Sequence, residues 1–384
     1  MSVSEITVRP VEGRAGMRLF LDVPALCQGG DPVWVPPFEM MVRDQLNPKK
    51  NPWFSHGEAE LLVAMRDGVP VGRISAQIDR THLELRNDTT GFFGFFECID
   101  EQPVANALFQ AAQEWLTRQG MTRVRGPFSL NINEESGLLV EGFESPPRMM
   151  MGHAPKYYQT LVENAGFEGV RDLLAYLTPM DTAVSLKHIK LLQRSIDHNP
   201  ELEFRHLDPK NYDRDIRILV DLFNGAWADN WGYIPLTEED AYHMAKEFKF
   251  IIIPELVWFA FYEGEPAAMA VALPDFNEMI ADLGGRPSLG GWFKLGCRLL
   301  TRRSWSSRTR VPLMGVASRF KNKSLGSVLG LMVIGSIRRE SLKLNLPICE
   351  MSWVLEDNEP TRHSIETLGG RIYKTYRVYE KAIS

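Results

Sequence analysis

Cysteine is scarce in this sequence, and long apolar runs are missing from it. The 384 residues include four cysteines, Cys27, Cys98, Cys297 and Cys349, with no C-x-x-C spacing among them. Isolated thiols of this kind are typical of buried side chains rather than of disulfides or zinc ligands, so we expect no metal site. No run of about 18 apolar residues occurs, and the sequence therefore predicts no membrane-spanning helix.

Excess positive charge is also missing, because the formal net charge is −6. An acidic chain does not favour nucleic acid as a partner. Arg9, Glu12 and Arg14 interrupt any apolar stretch near the N-terminus, so we expect no signal peptide and a cytoplasmic protein. The hydrophobic content of 44% supports well-buried cores. The length is enough for two or three domains of about 150 residues each.

The stretch 311–335 is the most informative part of the sequence. It reads as a strand over 311–316, a basic loop over 318–324 and a helix that begins near Leu325. The loop supplies cationic and small side chains, while the helix start supplies free backbone N–H groups and the positive end of the helix dipole. Such a junction binds phosphate, although a solvated basic loop before a core helix has the same spacing.

The elements that follow are a strand over 347–358, a short helix over 359–370 and a last strand over 371–380. This order resembles the GCN5-related N-acetyltransferase (GNAT) superfamily, whose phosphate loop reads Arg/Gln-x-x-Gly-x-Gly/Ala. Lys321-Asn-Lys-Ser-Leu-Gly326 stands where that loop would be, and Leu368-Gly-Gly370 stands where the family has Leu-Gly-Phe. The resemblance implies acyl-CoA as a co-substrate, with no permanently bound cofactor. The residues that it implies for acyl-CoA binding are Val316, Ala317, Arg319, Lys321, Lys323, Ser324, Leu325, Gly326, Ser327 and Asn358.

The pattern occurs twice in the chain. Asp67-Gly68 and Glu263-Gly264 are hairpin turns between paired strands, and each half ends with a helix stopped at glycine before a strand. We therefore expect an α/β fold with tandem GNAT-like lobes, each a mixed, twisted sheet flanked by helices. The predicted lobes are 1–180 and 202–384, joined by a linker over 181–201. Residues 16–55 read as irregular, with short helices and turns that either cover an active-site mouth or pack on the sheet.

The first lobe lacks the basic turn. Asp100-Glu-Gln102 follows its aromatic strand 91–99, and acidic side chains there would repel a pyrophosphate. We therefore expect the second lobe to bind acyl-CoA and the first lobe to shape the acceptor pocket.

An insertion over 284–310 distinguishes the second lobe. It contains seven basic and no acidic residues, interleaved with apolar ones: Arg286, Lys294, Arg298, Arg302, Arg303, Arg308 and Arg310, with Trp292, Phe293, Leu295, Leu299, Leu300 and Trp305. This composition indicates a membrane surface as a partner of residues 286–310, with arginines on anionic lipid. A helix packed on the lobe with solvated arginines is the alternative, and a nucleic-acid patch is disfavoured by the acidic remainder.

Acyl transfer to an amine needs a base that removes a proton from the nitrogen. The candidates are His153, Glu97 and Glu350; a solvent-facing strand position is the alternative for Glu350. In GNAT folds a backbone N–H near residues 315–317 would bind the oxyanion. The tyrosine that usually protonates the thiolate is replaced by Ile365 in the second lobe and Val162 in the first. Cys98 and Cys349 have no adjacent histidine, so nothing favours a covalent acyl-enzyme.

Within double-lobed GNAT-like proteins, two segments look like the bacterial ceramide synthase group: 131–143 with Pro146-Pro147, Met150 and His153, and Trp231-Gly-Tyr-Ile-Pro235. The resemblance implies amide formation between a long-chain acyl group and a sphingoid base, 3-ketosphinganine or sphinganine. The predicted substrate-binding residues are Asn131, Asn133, Glu134, Tyr157, Tyr233 and Trp353. A membrane-borne acceptor implies a peripheral position on the cytoplasmic face of the inner membrane. The alternatives are an aminoacyl or peptidyl transferase and a non-catalytic regulator that binds CoA or lipid.

Overall fold

The computed structural model describes residues 5–182, 194, 196–300 and 306–384. Most of the predicted linker 181–201 lies outside the described residues, as do Arg302, Arg303 and Trp305 of the predicted membrane-facing segment. The strands are β1 (Ile6–Pro10), β2 (Gly57–Arg66), β3 (Val69–Asp79), β4 (Thr90–Cys98), β5 (Arg123–Gly126), β6 (Leu138–Glu141), β7 (Glu168–Pro179), β8 (Leu202–His206), β9 (Val257–Tyr262), β10 (Glu265–Pro274), β11 (Arg308–Val316), β12 (Ile348–Leu355) and β13 (Arg371–Ala382).

The α-helices of the described residues are α1 (Gly13–Gln28), α2 (Glu39–Gln45), α3 (Arg80–Arg86), α4 (Gln102–Arg118), α5 (Tyr157–Asn164), α6 (Tyr212–Trp227), α7 (Glu238–Phe248), α8 (Phe276–Ile280), α9 (Leu289–Leu300), α10 (Ser324–Lys343) and α11 (Glu359–Thr367). Residues 16–55 were expected to form short helices and turns, and α1 is longer than that: it is a four-turn helix that buries Phe20 and Val23. No helix in the described ranges combines the length and the apolar character needed to cross a membrane.

The chain forms two compact units. Unit 1 comprises Met1–Leu173, Leu283–Arg286 and Lys374–Ser384, and unit 2 comprises Leu174–Asp282 and Pro287–Tyr373. The boundary falls inside β7 and β13, so each of these strands contributes residues to both units. The units thus differ from the continuous ranges 1–180 and 202–384 in where the two strands are divided.

Unit 1 is a mixed sheet with helices packed on it. Its strand order is β1-β2-β3-β4-β5-β13, with β6 also paired to β13. The pairing is antiparallel except between β4 and β5, which are parallel from Thr90 opposite Arg123 to Phe92 opposite Arg125. The β2–β3 turn has positive φ angles at Asp67 and Gly68, as the sequence predicts for a two-residue hairpin.

Unit 2 repeats this plan in the order β8-β9-β10-β11-β12. Its hairpin turn, Glu263-Gly264, also has positive φ angles, and its parallel pair is β11 with β12. Leu329, Val333 and Ile337 stand at helical spacing on α10 and are buried. Burying each of them contributes roughly 1.5–3 kcal/mol. The predicted α/β class, a mixed sheet flanked by helices in each unit, is confirmed.

Candidate active site

The cleft in unit 2 lies where β11 and β12 separate. The two strands pair from Arg308 opposite Ile348 to Val311 opposite Met351. Pro312 comes next and has no N–H with which to extend the ladder. Beyond it the strands flank an open cleft with about 540 Å³ of space, part of which is open to solvent. Its lining residues are Trp227, Asn230, Val311, Pro312, Met314, Met351, Ser352, Trp353, Val354, Leu355, Asn358, Thr361 and Ile365.

The junction between β11 and α10 has the predicted form of a short turn that runs into a helix. Gly326 and Ser327 donate their backbone N–H groups to the carbonyl of Lys323, at 3.0 and 3.4 Å. The N–H groups of Ser324 and Leu325, the first two of the helix, are then the ones left for an anion. A Cβ at Gly326 would overlap the carbonyl oxygen of Phe320, so the turn requires glycine there.

Backbone geometry refines the predicted oxyanion donor. The N–H of Ala317 donates to the carbonyl of Ala267 at 2.8 Å and is not available. Val316 stands opposite Ala268 in the same antiparallel register. Because successive N–H groups of a strand point to opposite edges, that of Val316 points away from β10, toward the side on which the cleft lies. Val316 is therefore the better-placed donor.

The basic side chains beside the junction are held by acceptors of unit 2. Arg319 donates to the carbonyl of Pro266 at 2.9 Å, and Lys321 donates to Asp229 at 2.7 Å. The hydrogen bond from Lys321 lowers the pKa of Asp229. Both side chains are solvent-accessible, so these contacts are weak and leave the cations available to a polyanion.

Glu350 lies in a buried polar cluster of unit 2, and the alternative that it faces solvent is wrong. Its carboxylate is fully buried and accepts hydrogen bonds from the hydroxyl groups of Tyr373 and of Ser352, the latter at 2.5 Å. Arg310 lies 3.6 Å from the same carboxylate and donates from Nε to Ser352 Oγ at 2.8 Å. Ser352 lines the cleft, so this cluster reaches the cleft wall.

Glu97 lies in a second buried cluster, in unit 1. Gln28 Nε2 donates to both carboxylate oxygens at 3.0 and 2.8 Å, and the hydroxyl of Tyr158 donates at 2.6 Å. The Arg73 guanidinium lies 3.7 Å away. Burial raises the pKa of Glu97, while Arg73 and the two hydrogen-bond donors oppose the rise.

His153 forms a pair with Asp31 in unit 1. Its Nε2 lies 2.9 Å from Asp31 Oδ2, and the imidazole is buried. Burial lowers the pKa of His153, so that the neutral ring is favoured near pH 7, although the Asp31 carboxylate opposes this. Asp31 lies in the turn just after α1, where its N–H donates to the carbonyl of Gln28. This turn therefore connects Asp31, the partner of His153, to Gln28, which donates to Glu97.

The remaining predicted substrate residues of unit 1 form hydrogen bonds that involve its backbone. Asn133 donates its N–H to Asn131 Oδ1 at 2.8 Å in an Asx turn, and Glu134 donates its N–H to the carbonyl of Asn131. The hydroxyl of Tyr157 donates to the carbonyl of Cys98 at 2.8 Å. Their predicted roles toward a substrate stay predictions.

In unit 2 the two predicted substrate aromatics have different positions. Trp353 lines the cleft, and its ring lies 5.8 Å from that of Trp227. Tyr233 is buried against α6 and donates to Asn224 Oδ1 at 3.0 Å. Asn358 also lines the cleft, and its side chain accepts the N–H of Thr361 at the start of α11.

The part of unit 1 that corresponds to the cleft is filled by its own chain. Beyond Phe92 the N–H of Phe128 donates to the carbonyl of Phe93 at 2.8 Å, and the Phe128 carbonyl accepts from Gln77. A Cβ at Gly94 would overlap that carbonyl. In the acidic turn that follows β4, Glu101 pairs with Arg66. The expectation that unit 1 does not hold the acyl donor stays a prediction.

Several basic side chains of the segment 286–310 pair with acidic residues, so the segment is not a uniform basic surface. Lys294 and Arg298 on α9 pair with Asp282 of unit 2, and in unit 1 Arg286 pairs with Asp22 and Glu39. The expectation that Arg310 faces lipid is wrong, because it belongs to β11 and is buried. The exposed apolar side chains of α9 are Leu289, Trp292, Phe293 and Leu300.

Several residues that line the cleft were not predicted from the sequence. Trp227 is the last residue of α6 and Asn230 follows it, about eighty positions before β11, and no spacing connects them to the phosphate loop. The alternation of residues along β12 indicates that Ser352 shares a strand face with Glu350, and this signal was available. The pairing of Tyr373 with Glu350 joins distant strands and has no local signal.

No protein-family model matches the chain. It is 41% identical over 381 residues to the bacterial ceramide synthase of Caulobacter vibrioides, covering 99% of this chain and 98% of that protein. It is 36% identical over 376 residues to Protein YghO of Escherichia coli, covering 98% and 95%.

Solved structures give the fold. A tandem GNAT protein from the clavulanic acid biosynthesis pathway superimposes with a TM-score of 0.55 at 13% identity, covering 98% of both chains. The GCN5-related glucosamine N-acetyltransferase region of a fungal multi-domain β-N-acetylglucosaminidase gives 0.60 at 13% identity, covering 99% of this chain and 38% of that one. The chain is an N-acyltransferase with a tandem GNAT fold. Within this class it belongs to the bacterial ceramide synthase family.

Proposed function

We propose that the protein transfers a long-chain acyl group from acyl-CoA to the amino group of a sphingoid base. The observation that carries the proposal is the cleft between β11 and β12, where β11 continues through a short turn into α10. The name of the Caulobacter vibrioides relative supports ceramide as the product.

The donor would bind in unit 2. Its phosphates would accept hydrogen bonds from the N–H groups of Ser324 and Leu325, with Lys321 and Arg319 adding positive charge. The pantetheine arm would then pass between the separated strands, with the thioester carbonyl accepting from Val316 N–H. Ile365 lines the cleft at the position of the usual tyrosine acid, so the thiolate would leave without that acid.

The acceptor is a lipid amine, and α9 supports a peripheral position at a membrane surface. Leu289 is 91% exposed, Phe293 76% and Leu300 88%, which is unusual for large apolar side chains on one helix. Inserting them into the headgroup region would bury this surface next to Lys294 and Arg298. His153, Glu97 and Glu350 stay predictions for the base.

Purified protein incubated with palmitoyl-CoA and sphinganine, with 3-ketosphinganine in parallel, tests the proposal. We expect free CoA thiol and the matching N-acyl lipid in equal amounts, measured by thiol titration and mass spectrometry. The controls are reactions from which either palmitoyl-CoA or the amine is omitted. The proposal fails if neither lipid is acylated across acyl chains from two to twenty carbons. Turnover with an aminoacyl-tRNA donor alone would instead favour a peptidyl-type transferase.

A further inference from the structure

Ser352 occupies a position between the cleft and a buried carboxylate. It lines the cleft wall on β12, yet only 3% of its surface is exposed. Its Oγ donates to Glu350 Oε1 and accepts from Arg310 Nε. A hydroxyl oxygen has two lone pairs, so one of them is not used by these two hydrogen bonds.

Glu350 itself is not among the residues that line the cleft. It is fully buried and accepts from Ser352 and Tyr373, with Arg310 3.6 Å away. A carboxylate in this position can take a proton from a substrate only through a group that touches both. Among the described residues that hydrogen-bond to Glu350, Ser352 is the one that also lines the cleft.

We propose that Ser352 is a catalytic residue that relays a proton between the reacting nitrogen and Glu350, which selects Glu350 from the three predicted bases. The inference rests on the proposed function of the cleft as the site of acyl transfer. Glu350 acts through Ser352, whereas Arg310 is a positioning residue: Nε fixes the hydroxyl, and Nη2 holds the carbonyl of Ser352 at 3.1 Å.

The step balances without a co-reactant from outside. A neutral amine attacks the thioester carbonyl, the C–N bond forms and the carbonyl becomes an oxyanion. As the carbonyl re-forms, the C–S bond breaks and its electron pair leaves with the thiolate. The nitrogen loses one proton to Ser352 Oγ while the serine proton moves to Glu350 Oε1. The proton then returns through Ser352 to the thiolate, so CoA leaves as the thiol and both residues regain their starting state.

Single-turnover and steady-state kinetics of Ser352→Ala and Glu350→Gln test the relay. We expect kcat to fall about 100-fold or more in each variant, with KM for palmitoyl-CoA within about 3-fold of wild type. The double variant should be no slower than the single ones, because both changes interrupt one path. Ser352→Thr keeps the hydroxyl and should retain about a third of the activity or more. Glu350→Gln can still accept the serine hydrogen bond, so it separates proton transfer from folding.

Ser341→Ala is the matched control, since Ser341 is a fully buried serine on α10 outside the cleft. It should leave kcat unchanged. The relay is overturned if Ser352→Ala keeps kcat within about 3-fold of wild type, or if the losses of the two single variants multiply in the double variant.

Decylamine, a long-chain amine without the sphingoid hydroxyls, serves as a second acceptor throughout. If decylamine is acylated and sphinganine is not, the proposed acceptor is wrong, while a slow Ser352→Ala still supports the relay. If wild type consumes no thioester with either amine, the proposed function and the relay both fall.

Discussion

Among the described residues, both units contain a buried carboxylate next to a buried guanidinium. Glu97 lies 3.7 Å from Arg73 in unit 1, and Glu350 lies 3.6 Å from Arg310 in unit 2. Buried ion pairs are weak evidence for stability, because taking both charges out of water offsets much of their attraction. The hydroxyl and amide donors around them satisfy the remaining oxygen lone pairs. These clusters therefore position groups more than they stabilise the fold.

Glu97→Gln should change how stability depends on pH. Burial raises the pKa of Glu97 above its ordinary value of 4.5. The folded state then favours the protonated carboxyl, whose contribution is complete below the ordinary pKa and is lost as pH rises through the raised value. The variant does not titrate, so its free energy of unfolding should improve relative to wild type between pH 4 and pH 8. Urea unfolding at both pH values measures this, and a pH-independent difference would contradict it.

Gly326→Ala should weaken CoA binding by about 10-fold or more. The new Cβ would overlap the carbonyl oxygen of Phe320, so the turn must open and the N–H groups at the start of α10 lose their alignment. Isothermal titration with CoA gives the dissociation constant.

Gly330→Ala is the control, one turn further along α10. Its Cβ would meet its nearest atom, on Val316, at an ordinary 3.6 Å. It should bind CoA like wild type and gain up to about 1 kcal/mol of stability from helix propensity. Equal affinities of the two variants would remove the turn from the binding site.

At the scale of elements, α9 is the clearest case of an apolar surface without cover in unit 2. Phe293→Ser together with Leu300→Ser should reduce sedimentation with phosphatidylglycerol-containing vesicles several-fold, because two exposed apolar side chains leave the interface. Phe250→Ser is the matched control, since Phe250 is 64% exposed but lies outside α9. Unchanged sedimentation of the double variant, or an equal loss with the control, would refute this role.

Local signals predicted the elements that position the site. The Asp-Gly and Glu-Gly turns and the strand–loop–helix over 311–335 follow from turn residues and apolar periodicity. The length of helix α1 was not predicted for a physical reason: the helix has no side-chain N-cap and contains Pro24. The base candidates were named from residue type, whereas the partners of Glu350, such as Tyr373, depend on tertiary pairing and could not be predicted.

At the scale of the whole molecule, the last strand is the least expected feature. Residues 374–384 belong to unit 1, where Tyr379 stands opposite Gly126 and the Arg377 guanidinium pairs with Asp172. A repeat read from sequence places this strand with the half that precedes it. The strand belongs to unit 1 because it pairs with β5, which is far away in the sequence. The periodicity of the residues does not reveal such a pairing.

Deleting residues 374–384 should therefore unfold unit 1. The truncation removes the buried side chains of Tyr376, Val378 and Tyr379 and exposes the edge of β5. Hydrogen exchange followed by mass spectrometry should lose protection across β2 to β5 first. Loss confined to unit 2 would show that the strand stabilises the other unit.

The part of unit 1 that corresponds to the cleft is filled by its own chain, and this bears on how many coenzyme molecules one polypeptide binds. In unit 1 the N–H of Phe128 donates to the carbonyl of Phe93 where, in the proposed mode of binding, a thiol arm would otherwise run, so we expect only unit 2 to bind the coenzyme. Isothermal titration calorimetry should therefore show saturation at one equivalent of coenzyme per polypeptide. After the duplication, one copy of the fold would have kept coenzyme binding and the other would have lost it.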